Sequence, residues 1–337
     1  MATLRLIRLT AMSPLHIGIG RDTYDVAAPA LHSDTLSAAL AAIRAVQGKV
    51  DDLQQFLDSF ALSSAFPYAV KGENTTLFMP KPAGKLNVAV KGLEEKDYRK
   101  SLKKVKYIAL PVWRQLVAGD ALQVEQDQLH GAYLLDKADS EFTPPMKSVV
   151  SHRVAVPRED NKDAEPFAFE WTFFKDDEHE KSGLFCLLQA DSDEVADEVI
   201  ELFRELGEQG IGSDRNVGGG HFNIATEQFE FVNCAGANAT MLLSSYIPTE
   251  EELTMLDVIN SRYQLIKRGG FISGSNEDQW RHLRKNTIYM FTAGSTFNTL
   301  QPLKGKVVDL RPAWNDNLHH VWRSGKPLAI NIKTTDL

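Results

Sequence analysis

At 337 residues with 43% hydrophobic content, the chain is long enough to bury a sizeable core and to form about two domains. A formal net charge of −8 excludes a protein coated in basic surface. The N-terminus has no signal-peptide apolar core and no run approaches a membrane span, so a cytoplasmic protein without a membrane partner is expected. The charge is unevenly placed: Lys81 to Lys106 holds nine bases against Glu94, Glu95 and Asp97, whereas Asp191 to Glu208 holds eight acids and only Arg204. One surface can therefore face RNA while another stays acidic. Cys186 and Cys234 sit in or beside apolar runs without metal-ligand spacing and read as free thiols of a reducing compartment.

In chain order, Thr3 to Thr10 reads as a first strand, and Ser13 to Arg21 as a loop carrying Gly18 and Gly20. Ser33 or Asp34 is the expected N-cap of a helix whose apolar stripe is Leu36, Leu40, Ile43 and Val46, with Gly48 ending it. Phe56, Leu57, Phe60 and Leu62 read as a second short helix, and Ser63 to Tyr68 leads into a strand. In Leu77 to Pro82, the two prolines predict a strand on a sheet edge or just off it. Lys100, Lys103, Lys104 and Lys106 then flank Leu102, Val105 and Ile108, either as a solvated amphipathic helix running into a strand or as an RNA-facing patch.

Val149 to Val156, with His152 and Arg153, is extended, and Phe167, Phe169, Trp171, Phe173 and Phe174 alternate back after a charged tip at Arg158 to Glu165. The expectation is a hairpin, around residues 145–175, that projects from the body. Leu184 to Leu188 is apolar enough for a central strand. Val195, Val199, Leu202, Phe203 and Leu206 then recur at helical spacing.

Gly210 to Phe222 crowds five glycines around Arg215, which demands positive φ or close approach. A helix precedes it and a strand follows, through Phe222, Ile224, Phe229, Phe231 and Val232, the reverse of a P-loop or Rossmann turn. It reads either as a nest of amides with Arg215 free to bridge phosphates or stack on a base, or as a plain helix-to-strand turn. The order of elements suits an elaborated ferredoxin-like βαββαβ plan for residues 1–235. A second domain, 236–337, is expected to begin with a strand at Thr240 to Ser245 and an acidic capped helix at Pro248 to Leu253. A strand at Tyr263 to Ile266, a glycine turn at Arg268 to Phe271, paired strands at Thr287 to Thr292 and Gly294 to Phe297, and a last strand at Lys326 to Ile332 complete it. Weak two-fold repetition of the sheet plan is expected.

Ser13-Pro14-Leu15-His16-Ile17-Gly18, Ser33-Asp34-Thr35-Leu36, Ser64-Ala65-Phe66-Pro67-Tyr68 with Pro80-Lys81-Pro82, and the loop from Gly210 to Phe222 together resemble a RAMP-superfamily CRISPR protein. Lys267-Arg268-Gly269-Gly270-Phe271, Arg284-Lys285-Asn286 with Tyr289-Met290-Phe291, Gly294-Ser295-Thr296-Phe297, and His320 to Pro327 are similar to the fourth subunit of the type III-A Csm effector complex. The resemblance implies an α+β chain of two ferredoxin-like (RRM-like) domains with a projecting β-hairpin thumb and glycine-rich loops. It also implies a cytoplasmic, cofactor-free, non-catalytic subunit of an antiviral ribonucleoprotein. Its expected partners are the 5′ repeat-derived handle of the crRNA, the large polymerase- or cyclase-like subunit and a backbone RAMP subunit. Carried onto this chain, the handle lies along Gly210, Gly212, Arg215, Asn216, Gly218, Gly219, Gly220 and His221. His16, Gly18, Gly20 and Arg21 assist, with Arg153 on the hairpin and Arg268, Gly269 and Gly270 beyond. The acidic hairpin tip departs from a simple match, and no RNP-type aromatic signature of a typical RRM is present.

Two other function classes remain open on the residues. A metal-independent endoribonuclease needs a base near a 2′-hydroxyl, for which His16, Tyr24 and His221 have the chemistry. Asp22 and Asp25 can also be drawn as a metal-assisted pair, without a third ligand at spacing. An adaptor would instead use the acidic helix and Glu250 to Glu252 as docking faces.

Overall fold

The computed structural model describes residues 4–19, 25–156, 163–231, 234–272, 283–314 and 318–334. Its spine is one large sheet. Strand β1 (Leu4–Thr10) pairs antiparallel with β12 (Glu180–Ala190) on one side and β13 (Asn223–Phe229) on the other. Next to β12 lies β3 (Phe66–Lys71), followed by β4 (Asn74–Pro80) and β6 (Tyr107–Ala109), and the short β9 (Tyr133–Leu134) and β8 (Leu129–His130) close that edge. Within it, β13-β1-β12-β3 is the spatial order of four antiparallel strands joined in sequence through two long helices.

The sheet is buried on both faces because its central strands are apolar at consecutive positions. Ile7, Leu9, Leu184, Cys186 and Leu188 pack against α1 (Ser33–Val46), α2 (Leu53–Asp58) and α5 (Asp193–Gln209). Leu4, Leu6, Phe185 and Leu187 face a second cluster built from α4 (Leu110–Val117), β14 (Ala239–Leu242) and β20 (Ala329–Ile332). The C-terminal strands thus cover the face that the expected pair of helices leaves free. Burial also pushes the Cys186 thiol well above its usual range.

Helix α5 forms as its spacing predicts, with Val199, Phe203 and Leu206 inward and the Ser192 side chain accepting from the Val195 amide at 3.3 Å. The alternating arms form an antiparallel ribbon of their own, β10 (Met146–Ala155) with β11 (Glu165–Phe174). The acidic helix α6 (Glu250–Met255) carries a reciprocal capping box between Thr249 and Glu252. No described helix is long and apolar enough to cross a membrane.

Several local expectations are corrected. His32, not Ser33 or Asp34, is the N-cap of α1, and Ser33 and Asp34 are buried in its first turn. Val46 lies outside the apolar stripe and is exposed. Phe60 and Leu62 belong to a strand, β2 (Phe60–Leu62), that pairs with β12. β4 is an interior strand: β3 pairs with residues 74–77 and β6 with 78–80, so Pro80 occupies the last position. There its missing N–H removes no central rung, and its carbonyl accepts from Trp113 Nε1 at 2.9 Å. The two late strands do not pair with each other: β16 (Ile288–Phe291) pairs with β15 (Leu265–Arg268), and β17 (Thr296–Phe297) with β14. With β18 (Val307–Asp309) and β19 (Trp322–Ser324) forming another ribbon, the described C-terminal strands spread over three small sheets.

Candidate nucleic-acid interface

The glycine loop is built against two other segments. α5 ends at Gly210, with φ of 77°, and the chain turns through a short 3-10 segment, Arg215–Val217, before entering β13. The Gly220 amide donates to the Pro14 carbonyl at 2.9 Å, the Ser213 amide to the His16 carbonyl at 2.9 Å, and the Ser13 amide to the His221 carbonyl at 2.9 Å. The His221 amide returns a bond to Ser13 Oγ at 2.8 Å. Leu15 and Thr172 exchange both backbone bonds, which ties the same segment to the hairpin. Residues 13–17, strand β11 and the glycine loop therefore form one braced body.

That bracing explains most of the glycines. At Gly220, φ is +71° and a Cβ would stand 1.9 Å from the Ile211 carbonyl oxygen. Gly212, φ +92°, would meet the His16 carbonyl oxygen at 2.4 Å, and Gly219 the Trp171 ring at 2.8 Å. The close approach that the sequence demands is thus made by the chain itself. What remains outward is the turn at 215–218, where Arg215, Asn216, Val217 and Gly218 are exposed. Among the described residues, no carboxylate pairs with Arg215, and the amides of Arg215 and Asn216 have no acceptor. An exposed guanidinium beside two unpartnered amides is chemistry suited to a phosphate.

The other residues expected at this site are placed unequally. His16 is 1% exposed, its Nδ1 2.7 Å from the Glu170 carbonyl and its ring 4.3 Å from that of Phe169. It supports the loop from beneath. Arg153 lies over Phe169 and Trp171, 4.6 and 5.2 Å from their centroids, and its Nη1 donates to Asp214 at 2.7 Å. Its charge is thereby largely neutralised. Gly18 bridges to Ala27, whereas Gly20, Arg21, Asp22 and Tyr24 lie outside the described residues. His221 is half-buried, with Nε2 3.2 Å from the Arg215 carbonyl oxygen.

Arg268, Gly269 and Gly270 belong to a different cluster. Arg268 Nη2 donates to Asp34 Oδ1 at 2.8 Å and to Thr35 Oγ1 at 3.3 Å. Asp34, fully buried, also receives Arg323 Nη1 at 3.0 Å and Ser245 Oγ at 3.2 Å. Burial alone would raise its pKa, but Arg323 and Arg268 outweigh that and hold the carboxyl below the usual range. Burial, reinforced by Arg268, pushes the neighbouring His32 down to about 4.

Sequence reasoning missed a cavity of about 590 Å³ between residues 15–17 and 27–31, the hairpin and the edge of the large sheet, walled by Tyr107, Tyr133, Phe142 and His130. These aromatics come from segments whose sequence lacks strong periodicity. It also missed Arg323 and Lys285 as neighbours of Asp34, a grouping that only long-range folding creates.

Residues 235–332 match the family model of the CRISPR Csm4 C-terminal domain. No curated protein matches the chain. A chain of the Csm3-Csm4 subcomplex of the type III-A CRISPR-Cas interference complex shares the fold, with a TM-score of 0.63 at 16% identity, over 98% of this chain and 99% of that one. Two chains of the type III-B Cmr-beta complex bound to cognate target RNA, one of them also with AMPPnP, align at 13% and 12% identity. Their TM-scores are 0.42 and 0.44, over 87% of this chain and 86% and 85% of theirs.

Proposed function

We propose that this chain, a Csm4-like RAMP protein, is the non-catalytic subunit of a type III-A CRISPR effector complex that holds the 5′ repeat-derived handle of the crRNA. It docks the large polymerase-like subunit and a backbone RAMP subunit in the same cytoplasmic assembly. The observation that carries this reading is the braced turn at 215–218, which presents Arg215 and two unpartnered amides on a support that cannot easily collapse. A single strand offers phosphates, 2′-hydroxyls and splayed bases, and such a turn meets the first of these without reading sequence.

The spatial order β13-β1-β12-β3 fits a ferredoxin-like unit over residues 1–235, and a second unit of the same kind over 236–337 completes the reading. The β10–β11 ribbon is its thumb. Stacking on an open sheet face is not part of the mechanism, since α4, β14 and β20 cover one face and α1 and α5 the other. Of the candidate bases, His16 is buried against Phe169, which leaves its ring little access to a bound strand.

Titrating Arg215→Ala against repeat-derived RNA over a range of salt tests the site. Loss of one phosphate contact flattens the log-log salt dependence by about 0.7. An unchanged slope and affinity would remove Arg215 from the interface. Incubating the chain with repeat RNA, with and without divalent ions, tests the non-catalytic assignment, and cleavage at one repeat position that His16→Ala abolishes would replace it with the processing enzyme.

A further inference from the structure

Asp34 is shared by more positive charge than it can balance. Arg268 reaches it from the end of β15 and Arg323 from β19, each through one Nη nitrogen. Lys285, whose backbone is fixed by its amide bond to the Gly270 carbonyl at 3.0 Å, lies within electrostatic reach of both. Burial, followed by repulsion from Arg323, lowers the Lys285 pKa to about 8, with Asp34 opposing and Arg268 adding, so the ammonium is still charged at neutral pH. His32 is neutral there. Among the described residues, two arginines share one carboxylate with Lys285 in electrostatic reach, and a buried surplus of positive charge is costly unless an anion meets it.

The hydrogen bonding points the same way. Arg268 Nε and Arg323 Nε are both buried, and neither has an acceptor. Arg323 is 8% exposed, and its Nη1 already serves both the Asp34 carboxylate and the Asp34 carbonyl. Asp34 therefore fixes one edge of each guanidinium and leaves the Nε edge unused. The large majority of buried side-chain polar atoms have a partner. Arg268 and Lys285 are only partly buried, which keeps the cluster within reach of solvent.

We propose that Arg268, Arg323 and Lys285 form an oxyanion site for a phosphate group, with Asp34 as its internal brace. The free Nε edges donate to two phosphate oxygens, and the Lys285 ammonium supplies a movable third contact. The choice of an RNA phosphodiester as the natural ligand rests on the RNA reading above; the site itself does not. A free phosphate would satisfy the same donors.

The test uses the full chain and inorganic phosphate, substituted for chloride at constant ionic strength. Phosphate at about ten times its dissociation constant raises the melting temperature of the wild type by about 1–2 °C. Lys285→Met, which leaves the Asp34 pairs in place, abolishes that rise. No rise in the wild type, or an equal rise in both proteins, overturns the site. A salt titration with repeat-derived RNA then separates the sources. A slope flattened by about 0.7 in Lys285→Met assigns the phosphate to RNA, while an unchanged slope beside a Lys285-dependent thermal shift assigns it to a free phosphate. If Arg215→Ala leaves RNA binding intact while Lys285→Met weakens it, the glycine-turn reading fails and this site stands.

Discussion

Replacing Asp34 with Asn removes the one negative charge that Arg268 and Arg323 share while preserving the side chain's volume. The carboxylate accepts two charge-assisted bonds, at 2.8 and 3.0 Å, and a third from Ser245 at 3.2 Å. An amide oxygen in the Oδ1 position can keep the bonds from Arg268 and Ser245, and the NH2 group then points at the Arg323 guanidinium. Loss of one charged bond at about 1.5–3 kcal/mol, together with two arginines left unbalanced in a buried setting, gives a destabilisation of about 3–5 kcal/mol. Urea unfolding followed by far-UV circular dichroism measures it at neutral pH and again through the acid range. The folded carboxyl has a depressed pKa, because Arg323 and Arg268 overcome the opposing effect of burial. Its stabilisation is therefore complete above the unfolded value of about 3.9 and is lost as pH falls toward the folded value. The Asn variant lacks this contribution at every pH, so the two stability curves converge in acid. A difference below about 1 kcal/mol at neutral pH, or one that stays constant as pH falls through about 3.9 to the acid limit of the folded state, would refute the charge argument.

Two further outcomes follow from packing. Gly220→Ala needs both a left-handed alanine and displacement of the Ile211 carbonyl, which lies 1.9 Å from the new Cβ; the expected loss is at least about 3 kcal/mol by urea unfolding, and a loss within about 1 kcal/mol would contradict the close approach. Cys186, fully buried with its thiol pKa raised, should resist a thiol reagent in the native protein and react only on unfolding, whereas rapid native labelling at Cys186 would place β12 elsewhere.

Legibility in the sequence tracked the range of the forces involved. The periodic apolar residues of α5, the alternation of β11 and the acidic capped helix after Pro248 are each readable, because the partners that fix them lie within a few residues or repeat along one element. Positive φ in the glycine loop was equally local, since Gly210, Gly212, Gly218 and Gly220 all adopt it. Phe60 and Leu62 were misplaced because a short apolar run fits a helix and a strand alike, and only pairing with β12 decides between them.

By itself, then, the sequence determined the strand and helix series around the large sheet, the hairpin and the position of a strained, glycine-dependent turn. The tertiary structure alone decided what those features meet. Capping logic read Asp34 as a candidate cap, yet Arg268 and Arg323, 234 and 289 positions away, make it the brace of a buried charge cluster. Glycines that promised an open cradle are filled from within by His16, Ile211 and Trp171, while the Arg215 turn stays exposed. Backbone conformation is set by each residue's own sterics, but the neighbour that occupies the resulting space is chosen by chain segments that local sequence cannot see.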